Sequence, residues 1–265
     1  MDILVVDGSG FIGTNFVQHL LDKYINYNVI CIDKPEADKR NFEEIKNNRF
    51  YSYVVDTRDF SKFFKFWFRV DIIVYFADDA IRTTVLLDVL KKYKVKKYLQ
   101  IAEQQELDKL ALEATIVPAM VLKLSNNYGY FQHPSELVPN LITNALEGEN
   151  LCVTERIRDW TSVLDSCRCL ETLIHYGKIG ESYEFGGGNE IKDIDIALFI
   201  MEYLQIPKQK LEFKQELIEP CFMDFSKLNK LYGWSPIIDM SAGLTDTIEW
   251  YKENESWWKA LKIHG

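Results

Sequence analysis

Short apolar runs alternate with amphipathic segments along residues 1–125. The runs, in chain order, are ILVVD, NVICID, FYSYVVD, DIIVYFA, KKYLQIA and AMVLKLS. Apolar runs with so few polar interruptions are typical of strands that helices cover on both faces of a sheet. Intervening segments such as NFVQHLLDKY repeat apolar residues at helical spacing. The alternation predicts an α/β fold with a doubly wound parallel sheet of the Rossmann type.

The pattern changes from about Leu137 onwards. Helical segments such as VPNLITNALEG and DIALFIMEYL are interleaved with short extended pieces and with the glycine run Gly186–Gly188. We therefore predict a Rossmann-type domain over residues 1–136 and a smaller C-terminal α/β lobe over residues 137–265. The boundary is soft, because no Pro/Gly-rich linker marks it.

Composition narrows the classes of function. The chain has 265 residues, of which 47% are hydrophobic, and its formal net charge is −9. An acidic chain lacks the basic face of a nucleic-acid-binding protein, so no nucleic-acid partner is expected. No run approaches the roughly 18 apolar residues of a membrane span, and MDILVVDGSGFIG lacks the layout of a signal peptide. We expect a cytoplasmic protein without a membrane association.

Cysteine and histidine spacing favours neither disulfides nor metal ligation. The cysteines are Cys31, Cys152, Cys167, Cys169 and Cys221, an odd number without a CxxC pair. The four histidines are scattered and stand in no ligand spacing. We expect free thiols and no metal site.

The segment LVVDGSGFIGTNF reads as strand, glycine loop and helix. Gly8, Gly10 and Gly13 fit the pattern G-x-G-x-x-G, with Phe11 and Ile12 between the last two. Glycines there permit a tight turn and close backbone approach, and the N–H groups at the helix start attract a pyrophosphate. These five residues are therefore predicted to bind a dinucleotide.

Carboxylates at two strand ends extend this prediction. Asp33 ends the second strand, 20 residues after Gly13. A carboxylate there accepts hydrogen bonds from a ribose 2′-hydroxyl and repels a 2′-phosphate, which favours NAD over NADP. Asp56 and Thr57 end the third strand and are assigned to the same cofactor site by the resemblance described next.

The second half carries four segments of high specificity: LKLSNNYGYFQHPSELVPNLITNALEGENL, IRDWTSVLDSCRCLETLI, GKIGESYEFGGGNE and LYGWSPIIDMSAGLTDTIEWYKENESWW. In this order they resemble the dTDP-glucose 4,6-dehydratase segments SNNYGPYQFPEKLIP, VRDW…VEDHCRAI, GE.YNIGGGNE and LGW-P…GL..T..WY..N..WW. With GFIG, Asp33 and Asp56–Thr57, the resemblance to these extended short-chain dehydrogenases/reductases, the NAD-dependent epimerase/dehydratase family, spans almost the whole chain.

The resemblance implies a tightly held NAD and a nucleotide-sugar substrate. In that family a hydride leaves sugar C4, water is lost across C5–C6, and the hydride returns to C6. The chemistry uses a tyrosine base with a lysine four residues later, a Ser/Thr hydroxyl, and an Asp–Glu pair.

Those catalytic groups are missing from their expected places. The single Tyr-x-x-x-Lys match, Tyr93 with Lys97, precedes the strand KKYLQIA, whereas the family's pair follows it. We therefore interpret Tyr93 and Lys97 as a solvated basic helix end. The interval from Glu103 to Pro118 is too short for the family's long catalytic helix.

The family's hydroxyl, acid and base positions become Glu103, Gln104 and Gln105 here. Amides form hydrogen bonds but exchange no proton near neutral pH. A slip of one residue offers Glu106, so Glu103, Glu106 and Tyr128 are the candidates for non-standard catalysis.

Two further departures concern the cofactor loop and the assembly. Aligned on FIG, the family's first loop glycine falls at Asp7, where a carboxylate repels a pyrophosphate and its Cβ restricts the turn. We therefore expect weakened NAD affinity. A gap follows FADDAI, where the family's AAESHVD loop and much of the next helix are absent before RTTVLLDVL, and in the family that helix forms part of the dimer interface. The usual dimer is accordingly not expected, and other self-association or pairing with a full-length homologue is the alternative.

Substrate positions are partly retained. Asn127 and Arg158 match family positions near the phosphates of the nucleotide sugar, and a guanidinium suits a diphosphate. The family's lysine in PEKLIP is Glu136 here, and its arginine-rich stretch is reduced to Glu219–Phe222. An equal alternative for Arg158 is a structural ion pair with Asp159.

Three hypotheses of function remain open. We favour a catalytically impaired dTDP-glucose 4,6-dehydratase-like protein that retains NAD or nucleotide-sugar binding. The first alternative is an active NAD-dependent dehydratase or epimerase that uses non-standard residues. The second is a scaffold or interaction protein that binds neither ligand.

Overall fold

A computed structural model describes residues 1–43, 45–66, 69–102, 105–113, 116–214 and 222–264. The strands are β1 (Asp2–Val6), β2 (Asn28–Asp33), β3 (Phe50–Val54), β4 (Ile72–Ala77), β5 (Lys97–Ala102), β6 (Ala119–Leu124), β7 (Asn126–Tyr128), β8 (Leu151–Val153), β9 (Ile157–Ser162), β10 (Ser182–Phe185), β11 (Glu190–Lys192) and β12 (Leu211–Phe213). The helices are α1 (Phe11–Lys23), α2 (Arg40–Glu43), α3 (Phe60–Phe66), α4 (Ala80–Leu90), α5 (Gln105–Glu113), α6 (Leu137–Glu147), α7 (Val163–Tyr176), α8 (Asp193–Tyr203), α9 (Ser226–Tyr232), α10 (Met240–Glu253) and α11 (Glu255–His264).

The chain forms two compact units. Unit 1 comprises residues 1–124, 167–185 and 226–234, and unit 2 comprises residues 125–166, 186–225 and 235–265. Each unit is therefore assembled from separated stretches of chain. The predicted division between residues 136 and 137 stays a prediction, since these units are not continuous in sequence.

A seven-stranded sheet forms the centre of unit 1. Its order is β10-β6-β5-β4-β1-β2-β3, and every neighbouring pair is parallel. The six apolar runs predicted as strands are β1 to β6, so the prediction of a parallel α/β sheet is confirmed. The order reverses between β1 and β4, and at such a switch point ligands bind beyond the carboxyl ends of the strands.

One detail of the strand prediction was wrong. The run FYSYVVD was expected to be covered on both faces, but β3 is an edge strand on which Tyr51 is 39% and Val54 57% exposed. The neighbouring helix α2 has only four residues. A single helical turn covers too little of the strand to bury it.

Unit 2 contains two small sheets and a helical core. The sheets have the orders β11-β9-β7 and β12-β8. Side chains from α6, α8, α10 and α11 pack with them, and Tyr251 and Trp258 are fully buried. Trp250 and Trp257 pack against this cluster. These aromatics therefore belong to the hydrophobic core of unit 2.

Candidate functional site

The glycine loop of unit 1 lies between β1 and α1, at the carboxyl edge of the sheet. A Cβ at Gly13 would lie 2.4 Å from the carbonyl oxygen of Gly8, and one at Gly8 would lie 2.7 Å from Cγ1 of Val5. Helix α1 and strand β1 therefore approach the loop so closely that neither glycine can carry a side chain. This is the packing that the two outer glycines of the motif were predicted to allow.

The start of α1 is open to an anion. Gly10 is the N-cap residue, and within the described part of the chain no side chain caps this helix and no acidic residue lies in its first turn. A Cβ at Gly10 would meet nothing within 4 Å. The N–H groups of the first helical turn, which includes Phe11, Ile12 and Gly13, thus face a region with room for a phosphate.

Asp33 lies beside this loop at the end of β2. Its Oδ1 accepts a hydrogen bond from the backbone N–H of Ser9 at 2.8 Å. Its Oδ2 is buried and has no hydrogen-bond partner among the described residues. Burial raises the pKa of Asp33 above its usual value, although the hydrogen bonds from Ser9 oppose this shift. An orphaned carboxylate oxygen of this kind fits a hydroxyl donor such as a ribose 2′-OH.

Unit 1 also contains a cavity of about 220 Å³. It is lined by Lys34, Pro35, Glu36, Asp56, Thr57, Asp79 and Arg82. Asp56 accepts hydrogen bonds from the side chain and backbone of Arg58, which lower the pKa of Asp56 to about 2. The cavity has room for a heterocyclic base, and the assignment of Asp56 and Thr57 to a cofactor site stays a prediction.

Asp7 forms an ion pair that was not predicted. Arg82, in the first turn of α4, donates from Nε to Oδ2 of Asp7 at 2.8 Å and from Nη2 to Oδ1 at 2.9 Å. The exposed fraction is 4% for the Arg82 side chain and 9% for that of Asp7. Burial raises the pKa of Asp7 from 3.8 to about 6, and Arg82 opposes the shift. The carboxylate is therefore paired with a guanidinium that favours its ionised form, although burial opposes ionisation.

A topological signal could have identified this pair. Strands β1 and β4 are neighbours and parallel, so the residues that follow them meet at one edge. Asp7 follows β1, and Arg82 lies five residues beyond the end of β4. The prediction that Asp7 repels a pyrophosphate took no account of a cation after β4, the neighbouring strand.

The predicted catalytic region is short. Helix α5 has nine residues, which corresponds to a length of about 14 Å. Glu103 and Gln104 lie outside the described residues, and for Glu106 only the backbone, within α5, is described. The connection from Glu103 to Pro118 contains no tyrosine.

Tyr93 and Lys97 do not form a solvated basic helix end as expected. Tyr93 packs against the core of unit 1, with its ring centroid 5.5 Å from that of Phe64. The Nζ of Lys97 donates a hydrogen bond of 2.6 Å to the backbone oxygen of His175, and burial lowers the pKa of Lys97. The apolar parts of both side chains are thus used in packing.

Tyr128 is buried in unit 2, with 1% of its surface exposed. Its hydroxyl packs against α10, where a Cβ at Gly243 would lie 2.3 Å from the hydroxyl oxygen. Burial raises the pKa of Tyr128, and the negative charge of Asp165 adds to the shift. A phenol in this environment resists ionisation, which is unfavourable for a general base.

The two predicted substrate residues both make internal contacts within unit 2. The side-chain amide of Asn127 donates to the backbone oxygen of Ser125 at 2.9 Å, and its oxygen accepts from the hydroxyl of Ser166. Arg158 donates from Nε to Oδ1 of Asp193 at 3.0 Å. Asp193 is completely buried.

The alternative that Arg158 pairs with Asp159 was wrong. The partner of Arg158 is Asp193, whereas Asp159 accepts a hydrogen bond from the backbone N–H of Asn189 at 3.2 Å. In the strand β9, Arg158 and Asp159 are consecutive residues, and consecutive strand residues point to opposite faces. Adjacent charges in a strand are therefore poorly placed to pair.

A larger cavity, of about 330 Å³, lies within unit 2. It is lined by Gly129, Tyr130, Ser162, Val163, Leu164, Ile237, Ile238, Asp239, Ala242, Gly243, Asp246 and Thr247. This lining includes two carboxylates and no arginine or lysine, and it includes neither Asn127 nor Arg158. It is therefore poorly suited to a diphosphate.

Within the described ranges, no group of three or more His, Cys, Asp or Glu side chains is placed to hold a metal ion. Cys31, Cys152, Cys167 and Cys169 are free thiols, and Cys221 lies outside the described residues. None of the helices described combines the length and apolar character that crossing a bilayer requires.

Comparison with known proteins gives a consistent family. The model of the NAD dependent epimerase/dehydratase family matches residues 90–186. A dTDP-glucose 4,6-dehydratase of Shigella flexneri is 36% identical over 160 residues, which are 55% of this chain and 44% of that protein. The matched part thus spans less than half of the length of that relative.

Other similarities extend over the whole chain. A dTDP-glucose 4,6-dehydratase of Actinoplanes is 27% identical, covering 97% of this chain and 100% of that protein. That alignment extends over 319 positions, more than the 265 residues here, so this chain lacks segments that the relative has. The crystal structure of dTDP-glucose 4,6-dehydratase from Bacillus anthracis in complex with NAD has 28% identity and a TM-score of 0.90, and covers 98% of this chain and 99% of that one.

Proposed function

Because the chain belongs to the NAD-dependent epimerase/dehydratase family, we propose that it is a dTDP-glucose 4,6-dehydratase-like protein with impaired catalysis. It binds NAD on unit 1 and retains a scaffold for a nucleotide sugar in unit 2. The observation that carries the proposal is the contrast between a preserved dinucleotide loop and a β5–β6 connection that is short and lacks a tyrosine.

The loop residues fit NAD. The N–H groups at the start of α1 would hold the pyrophosphate, and Oδ2 of Asp33, which has no partner among the described side chains and backbone groups, would accept from the adenosine ribose. Asp56 and Thr57 would contact the base from the adjacent cavity. When bound, NAD supplies a hydride acceptor. The structure of the Bacillus anthracis relative was determined with NAD, which supports this assignment.

Nucleotide-sugar binding is proposed in a weakened form. Arg158 and Asn127 would face the diphosphate, as the resemblance implies. The guanidinium of Arg158 is already compensated by Asp193, and Glu136 replaces a lysine of the family. A ligand that carries two phosphate charges therefore finds less positive charge to bind.

Impaired catalysis follows from the chemistry of the side chains. The family's route moves protons at the sugar, and each proton needs a group that can gain or lose it near neutral pH. Gln104 and Gln105 cannot do so, and the connection that contains them offers no phenol. Loss of one acid–base partner alone costs about 10²–10⁴-fold in rate, so simultaneous losses reduce turnover far below an ordinary enzymatic level.

Two alternatives stay open. Glu103, Glu106 and Tyr128 are the residues through which an active dehydratase or epimerase would work, although the burial of Tyr128 is unfavourable to it. The second alternative is a scaffold or interaction protein that binds neither NAD nor a nucleotide sugar. We further propose a cytoplasmic location, no membrane or nucleic-acid partner, and self-association or pairing with a full-length homologue other than through the family's usual dimer.

One experiment separates these functions. The purified chain is denatured and the released nucleotide is analysed, and the native chain is incubated with dTDP-glucose and NAD. We expect NAD binding, by retention or by a thermal shift on addition, without formation of the 4-keto-6-deoxy sugar. A turnover number of about 1–10³ s⁻¹, which is typical of enzymes, would contradict impaired catalysis. Absence of any response to NAD and nucleotide sugars would favour the scaffold.

A further inference from the structure

We infer that Arg82 is a positioning residue for the dinucleotide, which acts by neutralising Asp7 and by tying the glycine loop to the end of β3. The inference rests on the proposed NAD binding and goes beyond it, because it names the residue that makes this loop compatible with a pyrophosphate. The burial of Asp7, the contacts of Arg82 and the position of Arg82 in the proposed site support it.

Asp7 is placed where an uncompensated charge is costly. Its backbone has φ of 55°, in the left-handed region, and its N–H donates to the backbone oxygen of Ile32 at 2.8 Å. The loop conformation therefore fixes the position of the carboxylate, which is mostly buried. A buried carboxylate needs a cation and hydrogen bonds to stay ionised. It cannot leave the loop without a change of backbone.

Arg82 meets that requirement with its whole guanidinium. Two parallel hydrogen bonds reach the two oxygens of Asp7. Nη1 donates to the hydroxyl of Thr57 at 3.0 Å and to the backbone oxygen of Val55 at 3.3 Å. The guanidinium carbon lies 4.6 Å from the ring centroid of Phe60. Only a planar, forked cation makes these contacts together, so lysine is a poor substitute.

The position of Arg82 joins two parts of the proposed cofactor site. Through Asp7 it contacts the loop that would hold the pyrophosphate. Through Thr57 it contacts the cavity that would hold the base, and it lines that cavity itself. The sequence alone predicts that Asp7 repels the pyrophosphate. With Arg82 in place the pair carries no net charge, and the repulsion is removed.

The first test replaces Arg82 by methionine, which has similar length and no charge. The dissociation constant for NAD is measured by calorimetry for the wild type, Arg82→Met, Arg82→Lys and the double variant Asp7→Asn/Arg82→Met. Arg82 lowers the pKa of Asp7, so without it the carboxyl group ionises only at higher pH. At a pH that ionises Asp7, we expect Arg82→Met to bind NAD about tenfold or more weakly, since an unpaired carboxylate then faces the pyrophosphate. Arg82→Lys recovers part of the affinity, and Asp7→Asn/Arg82→Met recovers most of it.

A pH series supplies a readout that lost packing alone would not move. In Arg82→Met, NAD affinity falls as the pH rises, because deprotonation of Asp7 adds a charge beside the pyrophosphate. The double variant with Asp7→Asn lacks this dependence. The other ionisable groups whose charges act on Asp7 are Asp33 on β2, Lys34 after it, Tyr75 on β4 and Asp78 after β4. They are unchanged in both variants and cancel in the comparison.

Lys91→Met is the matched control, because it removes an exposed ion pair with Asp88 at the end of the same helix. It should leave NAD affinity unchanged. Unaltered NAD binding by a folded Arg82→Met chain contradicts the inference alone. No binding by the wild type contradicts the proposed function. Binding gained by Asp7→Gly/Arg82→Gly over a non-binding wild type contradicts both, since the pair would then block the site.

Discussion

The guanidinium of Arg158 is bound to the fully buried carboxylate of Asp193, with Nε 3.0 Å from Oδ1 and Nη2 3.2 Å from Oδ2. Oδ2 also accepts from the hydroxyl of Thr154 at 2.7 Å. A positive charge that the sequence assigned to a ligand's phosphates is thus held by the protein itself. A diphosphate would therefore have to compete with the carboxylate of Asp193 for the guanidinium of Arg158.

Replacement of Asp193 by asparagine is therefore expected to strengthen dTDP binding. The amide keeps the shape of the side chain but leaves the charge of Arg158 uncompensated, and we expect a gain of about threefold to tenfold in affinity. Calorimetry with dTDP measures it. Asp195→Asn, an exposed change in the same first turn of α8, is the control and should have no effect. If the wild type and Asp193→Asn bind dTDP with equal affinity, Arg158 does not contribute to the proposed nucleotide-sugar site.

The glycine loop permits a paired test of binding against packing. Gly10→Ala adds a methyl group into open space, but alanine is a poorer N-cap residue than glycine, so the free energy of unfolding should fall by no more than about 1 kcal/mol. The same methyl group occupies the place proposed for the pyrophosphate, and NAD affinity should fall. Gly13→Ala instead forces the loop and α1 apart and should cost about 1–3 kcal/mol of stability. Thermal unfolding with and without NAD distinguishes the two effects. A Gly10→Ala chain that binds NAD normally would contradict the assignment.

A buried carboxylate on α7 predicts acid sensitivity. Burial alone would raise the pKa of Glu171, but hydrogen bonds from Lys23, Tyr24 and His19 outweigh it and lower this pKa from 4.5 to about 2. Because the folded-state pKa lies below the unfolded value, the stabilisation is complete above about pH 4.5 and is lost as the pH falls towards 2.

Denaturant unfolding of Glu171→Gln checks this expectation. The variant should be about 1–2 kcal/mol less stable than the wild type at neutral pH, after solvent screening is allowed for. The difference should shrink as the pH is lowered through 4.5. Glu255→Gln, which removes an exposed pair with Lys259, should show a small difference at every pH. A constant deficit for Glu171→Gln would show that packing, and not charge, is responsible.

Tyr128→Phe tests the alternative of non-standard catalysis. Since the hydroxyl is buried against α10 and its pKa is raised, we expect that any slow turnover detected in the wild type persists in the variant. Product formation from dTDP-glucose is followed under identical conditions for both chains. Tyr130→Phe, a neighbouring tyrosine whose ring stacks on Trp250, is the control. Selective loss of turnover in Tyr128→Phe would support Tyr128 as a catalytic group.

Sequence patterns predicted those elements whose conformation depends mainly on neighbouring residues in the chain. Buried strands appear in sequence as apolar runs, and the glycine loop with Asp33 follows a fixed spacing, so both could be predicted from neighbouring residues. Strand β10 was harder to place. It has four residues whose side chains alternate between exposed and buried, and nothing in so short a segment indicates that it joins β6.

Partners across long separations could not be predicted in the same way. Asp7 and Arg82 are 75 residues apart, and Arg158 and Asp193 are 35 apart. Each charge was visible in the sequence, but whether it is free to meet a ligand depends on which strand ends the fold brings together. The sequence therefore predicted which residues could meet an anion, but not which of them the protein pairs with its own charges.

The interleaved course of the chain has a consequence for its synthesis. Unit 1 includes residues 1–124, yet its sheet is completed by β10 and its last stretch is residues 226–234. Until β10 has been made, the emerging polypeptide presents the unpaired edge of β6. Unpaired strand edges are prone to wrong pairing. Unit 1 can therefore be finished only after residues 125–166 and 186–225 of unit 2 have been made.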